Sequence, residues 1–441
     1  MRQAVSTSLP RLTAYYDNST KSYWINDRRG EWIQVNESSL RRHLKKNGLS
    51  PICPKDELLS ELDYALVDIQ EGFTVSYAGP LSGYSAGVLE TCGSRVLITS
   101  SPRLIEPQAG EFPLITALVE NLFQDELCDQ RPYVYGWLKV ALESLHTGHF
   151  RPGQVLAIAG PRECGKSLFQ NLVTEILGGR AAKPYRYMSG QTPFNADLFG
   201  AEHLQIEDEC GSTDLRVRRE FGAKIKDFCV NQVQSCHAKN RQALSLRPFW
   251  RVTISLNDEP ENLCVLPPID ESLIDKLSLL RATKKPMPLN TQTAEGHAAF
   301  WQGLLAELPA FVAFLGRWEI PEQLKSQRFG VTHYHHPELL EEIALLAPET
   351  RLLSLIDGVF FAPNSPFDGP GVMTAAEVER RLVASELGYE ARKLFSYGNA
   401  CATYLGRLAA KYPERFEAGR TNQTRHWVIR KPSIGAELVT P

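Results

Sequence analysis

The chain has 441 residues, 43% hydrophobic and 22% charged, the balance of an ordinary globular protein, and that length suits roughly two to four domains. A net charge of −3 excludes a wholesale basic coat for nucleic acid, so any such contact must come from local patches. Nine cysteines, an odd number with no C-x-x-C pair, argue against a zinc ribbon and against a secreted disulfide framework. The opening MRQAVSTSLPRLTAYY lacks the apolar core of a signal peptide. No stretch approaches the ~18 apolar residues of a membrane span. The expectation is a cytoplasmic chain with reduced thiols and no membrane partner.

Residues 1–110 read as a small α+β region. Ser22-Tyr23-Trp24-Ile25 and Glu31-Trp32-Ile33-Gln34-Val35 flank the turn Arg28-Arg29-Gly30 as a hairpin. Glu37 to Gly48 reads as a basic helix capped by Asn36, either a solvated face or a DNA contact. Short strands follow, including Val88–Thr91 and Val96–Thr99. Leu114, Leu118, Leu122, Trp137, Val140, Ala141 and Leu145 carry helical spacing through 112–149.

The centre of the chain is Gln154 to Gly179. The apolar run Leu156-Ala157-Ile158-Ala159 enters G-x-x-x-x-G-K-S, here Gly160-Pro161-Arg162-Glu163-Cys164-Gly165-Lys166-Ser167, and Leu168 opens a helical stripe with Leu172, Val173, Ile176 and Leu177. A strand, a glycine loop and a helix start in that order form a P-loop. Its N–H groups and the helix N-terminus attract phosphate. Lys166 would reach the β/γ-phosphates and the Ser167 hydroxyl would sit on Mg²⁺, making ATP and Mg²⁺ the expected cofactors.

The next acidic strand is His203-Leu204-Gln205-Ile206-Glu207-Asp208-Glu209. Carboxylates at a strand tip suit a metal–nucleotide site: one holds the metal's water shell, another polarises the attacking water. Asp208 is favoured for the metal, with either Glu207 or Glu209 as the base. A helix over 214–230 precedes two alternating runs, Val230–Cys236 and Ala243–Leu246, joined by His237-Ala238-Lys239-Asn240-Arg241. This reads as a hairpin with a basic tip, or as a solvated turn. Trp250 to Asn257 is a further strand. Asn257 suits contact with a γ-phosphate and a water, or simply the turn before Asp258-Glu259-Pro260. A helix is expected over Glu271–Leu280, carrying Asp275 and Lys276, with Arg281 just beyond.

Residues 294–318 and 337–361 also read as helices. His333-Tyr334-His335-His336 suggests a metal tract, but neighbouring histidines on a loop diverge and no cysteine lies near. Ala362 to Gly371 is a linker. Helix patterns at 374–383 and 400–411 and short strands at 416–417 and 424–430 follow the order of a winged helix, which serves DNA-binding and protein-binding roles alike.

The P-loop, acidic strand, basic hairpin and Asn-ended strand all fall between Gly160 and Asn257. In that order they resemble the superfamily 3 helicases, above all the primase-helicase ATPase modules of phages, large DNA viruses and integrated elements. The resemblance covers about residues 110–285 and implies an AAA+-like α/β core at 111–285 with a helical lead-in over 111–150; the residue patterns beyond it give a helical region at 286–362 and a winged-helix-like domain at 363–441. It implies ATP-driven translocation on single-stranded or forked DNA by a ring, usually a hexamer, in which His237, Lys239, Asn240 and Arg241 face the DNA. Glu207, Asp208, Glu209 and Asn257 would be catalytic. The family's trans-acting arginine corresponds best to Lys276, with Arg281 close behind. Lysine is the weaker fit for planar phosphate recognition. No primase motif or zinc module accompanies these, so a primase-helicase relative would be represented here by its helicase part alone, or its priming partner would be another chain. A DNA-binding initiator or defence scaffold that uses ATP only to assemble is the competing reading. The hairpin, the Asn-ended strand and the long flanks speak against a small-molecule kinase.

Overall fold

The structure is a computed structural model, and it describes residues 13–27, 29–207, 215–289, 291, 293–361, 371–395, 397–420 and 424–431. It contains two compact units, 1–336 and 337–441.

In the first unit, strands Ala14–Asp17, Ser22–Asn26, Trp32–Val35 and Thr74–Val75 form one sheet. Ser22–Asn26 and Trp32–Val35 pair as the expected antiparallel hairpin. Helices Glu37–Lys46 and Glu61–Gly72 bury Leu40, Leu44, Leu62, Leu66 and Ile69 with Tyr23 and Ile25 of the sheet. The Asn36 side chain caps the first helix through Ser39 N–H. A three-stranded sheet of Tyr77–Gly79, Gly87–Thr91 and Ser94–Ile98 follows.

Two helices, α1 (Pro113–Phe123) and α2 (Arg131–Thr147), lead into the central sheet. The elements are β1 (Val155–Gly160), α3 (Lys166–Ile176), β2 (Ala181–Ala182), β3 (His203–Glu207), α4 (Leu215–Val230), β4 (Arg251–Asn257), β5 (Leu277–Arg281) and α5 (Ala294–Arg317). The strands run β5-β1-β4-β3-β2, all parallel. β1 and β4 are buried along their length except for Asn257. Both faces are covered, which explains why these strands read as continuous apolar runs rather than alternating ones.

The expected helix over Glu271–Leu280 is corrected. Residues 271–276 are turns and Leu277–Arg281 is β5, bonded to β1. Leu277, Leu279 and Leu280 are fully buried, and a short apolar run of this kind is not distinguished from a helix by periodicity. The strand assignment wins because β1 offers it an unfilled edge.

α5 is long and apolar enough to cross a membrane by length and composition, a correction to the expectation that no stretch approaches a membrane span. Here Phe300, Leu304, Leu308, Phe311, Val312 and Leu315 enter the core with α1 and α2. Its Glu307 carboxylate accepts the N–H groups of Leu114 (3.0 Å) and Ile115 (2.9 Å), capping α1, whose Phe112 has no capping side chain. Eight cysteines are free thiols among the described residues.

In the second unit, helices Pro337–Leu345 and Pro348–Phe360 precede strand Gly371–Thr374. Helices Ala375–Val383, Gly388–Leu394 and Ala400–Lys411 come next, then strands Phe416–Arg420 and Arg425–Ile429. The last strand lies between the other two and pairs antiparallel with both. The Gly388–Leu394 helix and the Gly371–Thr374 strand carried no legible signal. Trp427 and Tyr404 are buried at its centre, and Asp357 accepts from Arg415 Nη2 at 2.5 Å.

Candidate active site

β1 delivers the chain into the loop at Gly160, and α3 starts at Lys166. Gly165 has φ +105°, which a side chain would strain, and a Cβ there would sit 2.9 Å from Met287. A Cβ on Gly160 would lie 2.4 Å from the Ala282 carbonyl oxygen. Both glycines are therefore set by close approach. The loop leaves its N–H groups at the start of α3, the cradle that a phosphate requires.

The Lys166 ammonium is nearly buried and turned back on the loop. It donates to the carbonyls of Gly160 (2.8 Å) and Pro161 (2.7 Å) and to Asn257 Oδ1 (3.2 Å). Asn257 is there because β4 pairs in parallel with β1 and brings it opposite Gly160. Ser167, the expected Mg²⁺ residue, lines the same cleft with Arg162, Glu163, Cys164 and Leu168.

Glu207 ends β3, the strand beyond β4. Its Oε2 pairs with Lys183 Nζ at 3.1 Å. Asp208 and Glu209 lie outside the described residues. The P-loop, Asn257 and Glu207 thus all come from the carboxyl edge of the parallel sheet, where open α/β sheets bind ligands.

Sequence reasoning missed the far wall of this cleft, which measures about 1430 Å³. Residues 284–289 form a strap from β5 toward α5. Lys284 Nζ donates to Arg162 O (3.1 Å) and lies 3.7 Å from Glu163. Lys285 donates to Gln124 O (2.8 Å), and Asn121 donates to Pro286 O (2.8 Å). The available signal was the run Lys284-Lys285-Pro286-Met287-Pro288, basic and proline-flanked. Glu259, a turn residue in the sequence, also stands beside the loop, 3.4 Å from Arg162. Its carboxyl is held below the usual range by its own backbone N–H, then by Asn262 and the nearby Arg162 and Lys166 charges. Gly165 and Gly160 make the cradle, and Lys166 with Ser167 supplies a cation and a hydroxyl beside it. These residues fit a magnesium–nucleotide.

The two candidates for a trans-acting cation sit at opposite edges of the sheet. Arg281 ends β5 opposite Ala159, and its main chain exchanges bonds with the Gln130 side chain. Lys276 precedes β5 at the amino edge, mostly buried, with Nζ 2.5 Å from Asp275 Oδ1. Asp275 also pairs with Arg328 at 3.2 Å.

The hairpin strands are Gln234–Cys236 and Leu244–Leu246, and the second runs on to the start of β4. The hairpin therefore rises from the amino edge, away from the P-loop. Lys239, Asn240 and Arg241 are exposed at its tip, and Asn240 has φ +60°. His237 is half-buried. Its N–H donates to Asn195 Oδ1 (2.8 Å), and its ring lies edge-on to Phe194 at 5.1 Å. Asn195 also donates to Ser235 O (2.9 Å), so a loop that sequence reasoning passed over braces the hairpin. Arg241 reaches Ser19 Oγ of the first sheet at 3.4 Å. Of the histidine tract, His335 bonds Leu277 O and His336 bonds Asp125 Oδ2. No metal-ligand cluster exists among the described residues.

No protein-family model and no curated protein matches this chain. Solved structures do. The apo A form of the NrS-1 C-terminal region is similar at TM-score 0.54 and 12% identity, covering 96% of this chain and 97% of that one. A second apo structure, NrS-1 C-terminal region (305-718), gives TM-score 0.54 at 13% identity, with 96% of each chain covered. This chain has the fold of the NrS-1 C-terminal region. A JCV helicase structure (TM-score 0.27, 14% identity, 54% of this chain and 59% of that one) and SCCmec type IV Cch, titled an active helicase (0.31, 12%, 91% and 73%), were also found, at scores too low to carry an argument.

Proposed function

We propose that this protein is an ATP-dependent DNA helicase or translocase of the superfamily 3 type, with an AAA+-like core. The observation that carries the reading is the register of β4 on β1, which places Asn257 against the P-loop lysine. That juxtaposition suits a residue that reads the γ-phosphate and positions water.

Lys166 now satisfies itself on Gly160 and Pro161 carbonyls, and phosphate oxygens are better acceptors for its charge. On nucleotide binding it exchanges partners, while Asn257 stays within reach. Ser167 and Asp208 would hold Mg²⁺, which supplies charge neutralisation at the phosphates. Glu207 or Glu209 orients the water; Glu207 must leave Lys183 to do so. Lys276 or Arg281 of a neighbouring copy completes the site in a ring, expected to be a hexamer.

The hairpin is the DNA-facing element, with Lys239 and Arg241 contacting phosphates independently of sequence. It stands at the opposite sheet edge from the nucleotide, so β4 is a rigid link between Asn257 and the hairpin. The final helices and three-stranded sheet follow a winged-helix order. Replication of a phage or mobile element, with a separate primase, is the setting this suits.

The test is ATP hydrolysis with and without single-stranded DNA, with Lys166→Ala alongside. DNA stimulation that the variant abolishes supports a motor. Hydrolysis retained by pure Lys166→Ala protein overturns the site; hydrolysis indifferent to DNA overturns the translocase.

A further inference from the structure

A second cavity, of about 400 Å³, opens at the amino edge of the sheet, away from the P-loop. That volume falls within the range of small-ligand pockets, about 300–1,000 Å³. Two chain segments of its wall, 230–234 and 247–251, run directly into the hairpin strands. The cavity is therefore the foot of the hairpin.

Its lining is one-sided in charge. Arg151, Arg247 and Arg251 line it, and among the described residues no aspartate or glutamate does. Arg251 is only 2% exposed. Its Nη1 donates to Trp250 O (3.0 Å) and its Nη2 to Arg151 O (3.1 Å). Among the described residues no carboxylate forms an ion pair with it. A buried guanidinium without a counter-ion is unfavourable, and it persists where something else rewards it. Burial pulls Arg251 down to about 10, so it remains a cation at neutral pH.

The same wall is aromatic. Tyr84 meets Phe150 edge-on at 5.2 Å, Phe150 meets Phe249 at 5.4 Å, and the Arg251 guanidinium lies 4.6 Å over the Phe249 ring. Tyr84 and Phe150 are only half-buried, so part of each ring is open. Arginines beside open aromatic faces, with no acid present, match the two halves of a nucleotide: a phosphate and a base.

We propose that this cavity binds one nucleotide of a single nucleic-acid strand, Arg247 and Arg151 holding its phosphodiester, the buried Arg251 adding its positive charge from behind the wall, and Tyr84 and Phe150 receiving its base. The proposal rests on the helicase reading for the identity of the strand. It adds to the hairpin tip a second, fixed grip that does not move with the turn. Arg251 orders the wall, since it ties Trp250 to Arg151. Arg247 is exposed and free to meet the strand.

The test is fluorescence anisotropy of a labelled oligothymidylate over a salt series, with a non-hydrolysable ATP analogue present. Arg151→Ala/Arg247→Ala should weaken binding about tenfold or more and flatten the salt dependence by about 0.7 in log–log slope per lost phosphate contact. Tyr84→Leu should weaken binding with the slope unchanged. Arg251 is left intact because its loss threatens the fold, and melting temperature checks each variant. Should the double variant melt early, Tyr84→Leu decides alone. Unchanged affinity and slope in these variants, with Lys239→Ala weakened, overturns this proposal only. No binding by the unmutated protein overturns it together with the helicase reading.

Discussion

Asn257 Oδ1 accepts a hydrogen bond from the Lys166 ammonium across 3.2 Å, although 91 residues separate them in the chain. The contact joins the tips of two paired strands, so it depends on the sheet register and not on the local sequence. Lys166 gives up little to solvent in this state. A ligand phosphate arriving in the loop competes with two backbone carbonyls and one amide.

Asn257→Ala should therefore damage turnover more than binding. The expected loss is about 10²-fold in kcat, the size seen when one oriented polar group is removed from a transition state, with KM changed much less. Steady-state ATPase kinetics check this. An equal fall in nucleotide affinity and kcat would place Asn257 in ground-state binding.

Glu207 and Glu209 divide by a paired test. The one that orients water should, as the Gln variant, retain nucleotide binding and lose hydrolysis by about 10²-fold or more. The other should change the rate by less than about tenfold. Binding of a fluorescent ATP analogue and phosphate release, measured on both variants, separate the roles. Equal effects would reject a single base.

A pH dependence follows from His203. Its ring is fully buried between Thr174 Oγ1 (2.7 Å) and Thr253 Oγ1 (2.8 Å), and burial lowers it to about 3. The imidazole is neutral in the fold. Its folded value is depressed below the unfolded ~6.5, so the stability is complete above that value and is lost as pH falls from there toward about 3. The slope is at most about 1.4 kcal/mol per pH unit from this group. Melting temperature against pH should fall more steeply below pH 6 in the unmutated protein than in His203→Gln, which keeps an amide between the two threonines. Parallel curves would rule the group out.

In the second unit, Asp357 and Arg415 form a nearly buried pair. Arg415→Met strands the carboxylate and should destabilise that unit by about 3–5 kcal/mol. Hydrogen exchange in Ala400–Lys411 is the readout. Exchange should rise there and stay unchanged in α3 of the first unit. Removing both partners together, Asp357→Leu with Arg415→Met, should recover much of the loss.

Much of the first unit is legible along the chain, because local rules write it. The Asn36 cap, the hairpin turn before Trp32 and the apolar stripe of α3 each show within a few residues. β5 is not legible as a strand because Leu277-Ser278-Leu279-Leu280 carries no alternation, all four residues being buried. α5 is apolar for a reason invisible in its own sequence: α1 and α2 meet it, and Glu307 caps a helix nearly 200 residues earlier.

The P-loop's glycines, its lysine and serine, and the acidic and asparagine strand ends are legible in the chain, since they follow from spacing and backbone chemistry. Which of them meet is a matter of tertiary packing. The parallel register sets Asn257 on Lys166, Lys183 takes Glu207, the strap at 284–289 walls the cleft, and Arg251 is enclosed without an acid. Each is a contact between segments far apart in the chain, and such contacts are chosen by packing and burial, which no local pattern encodes.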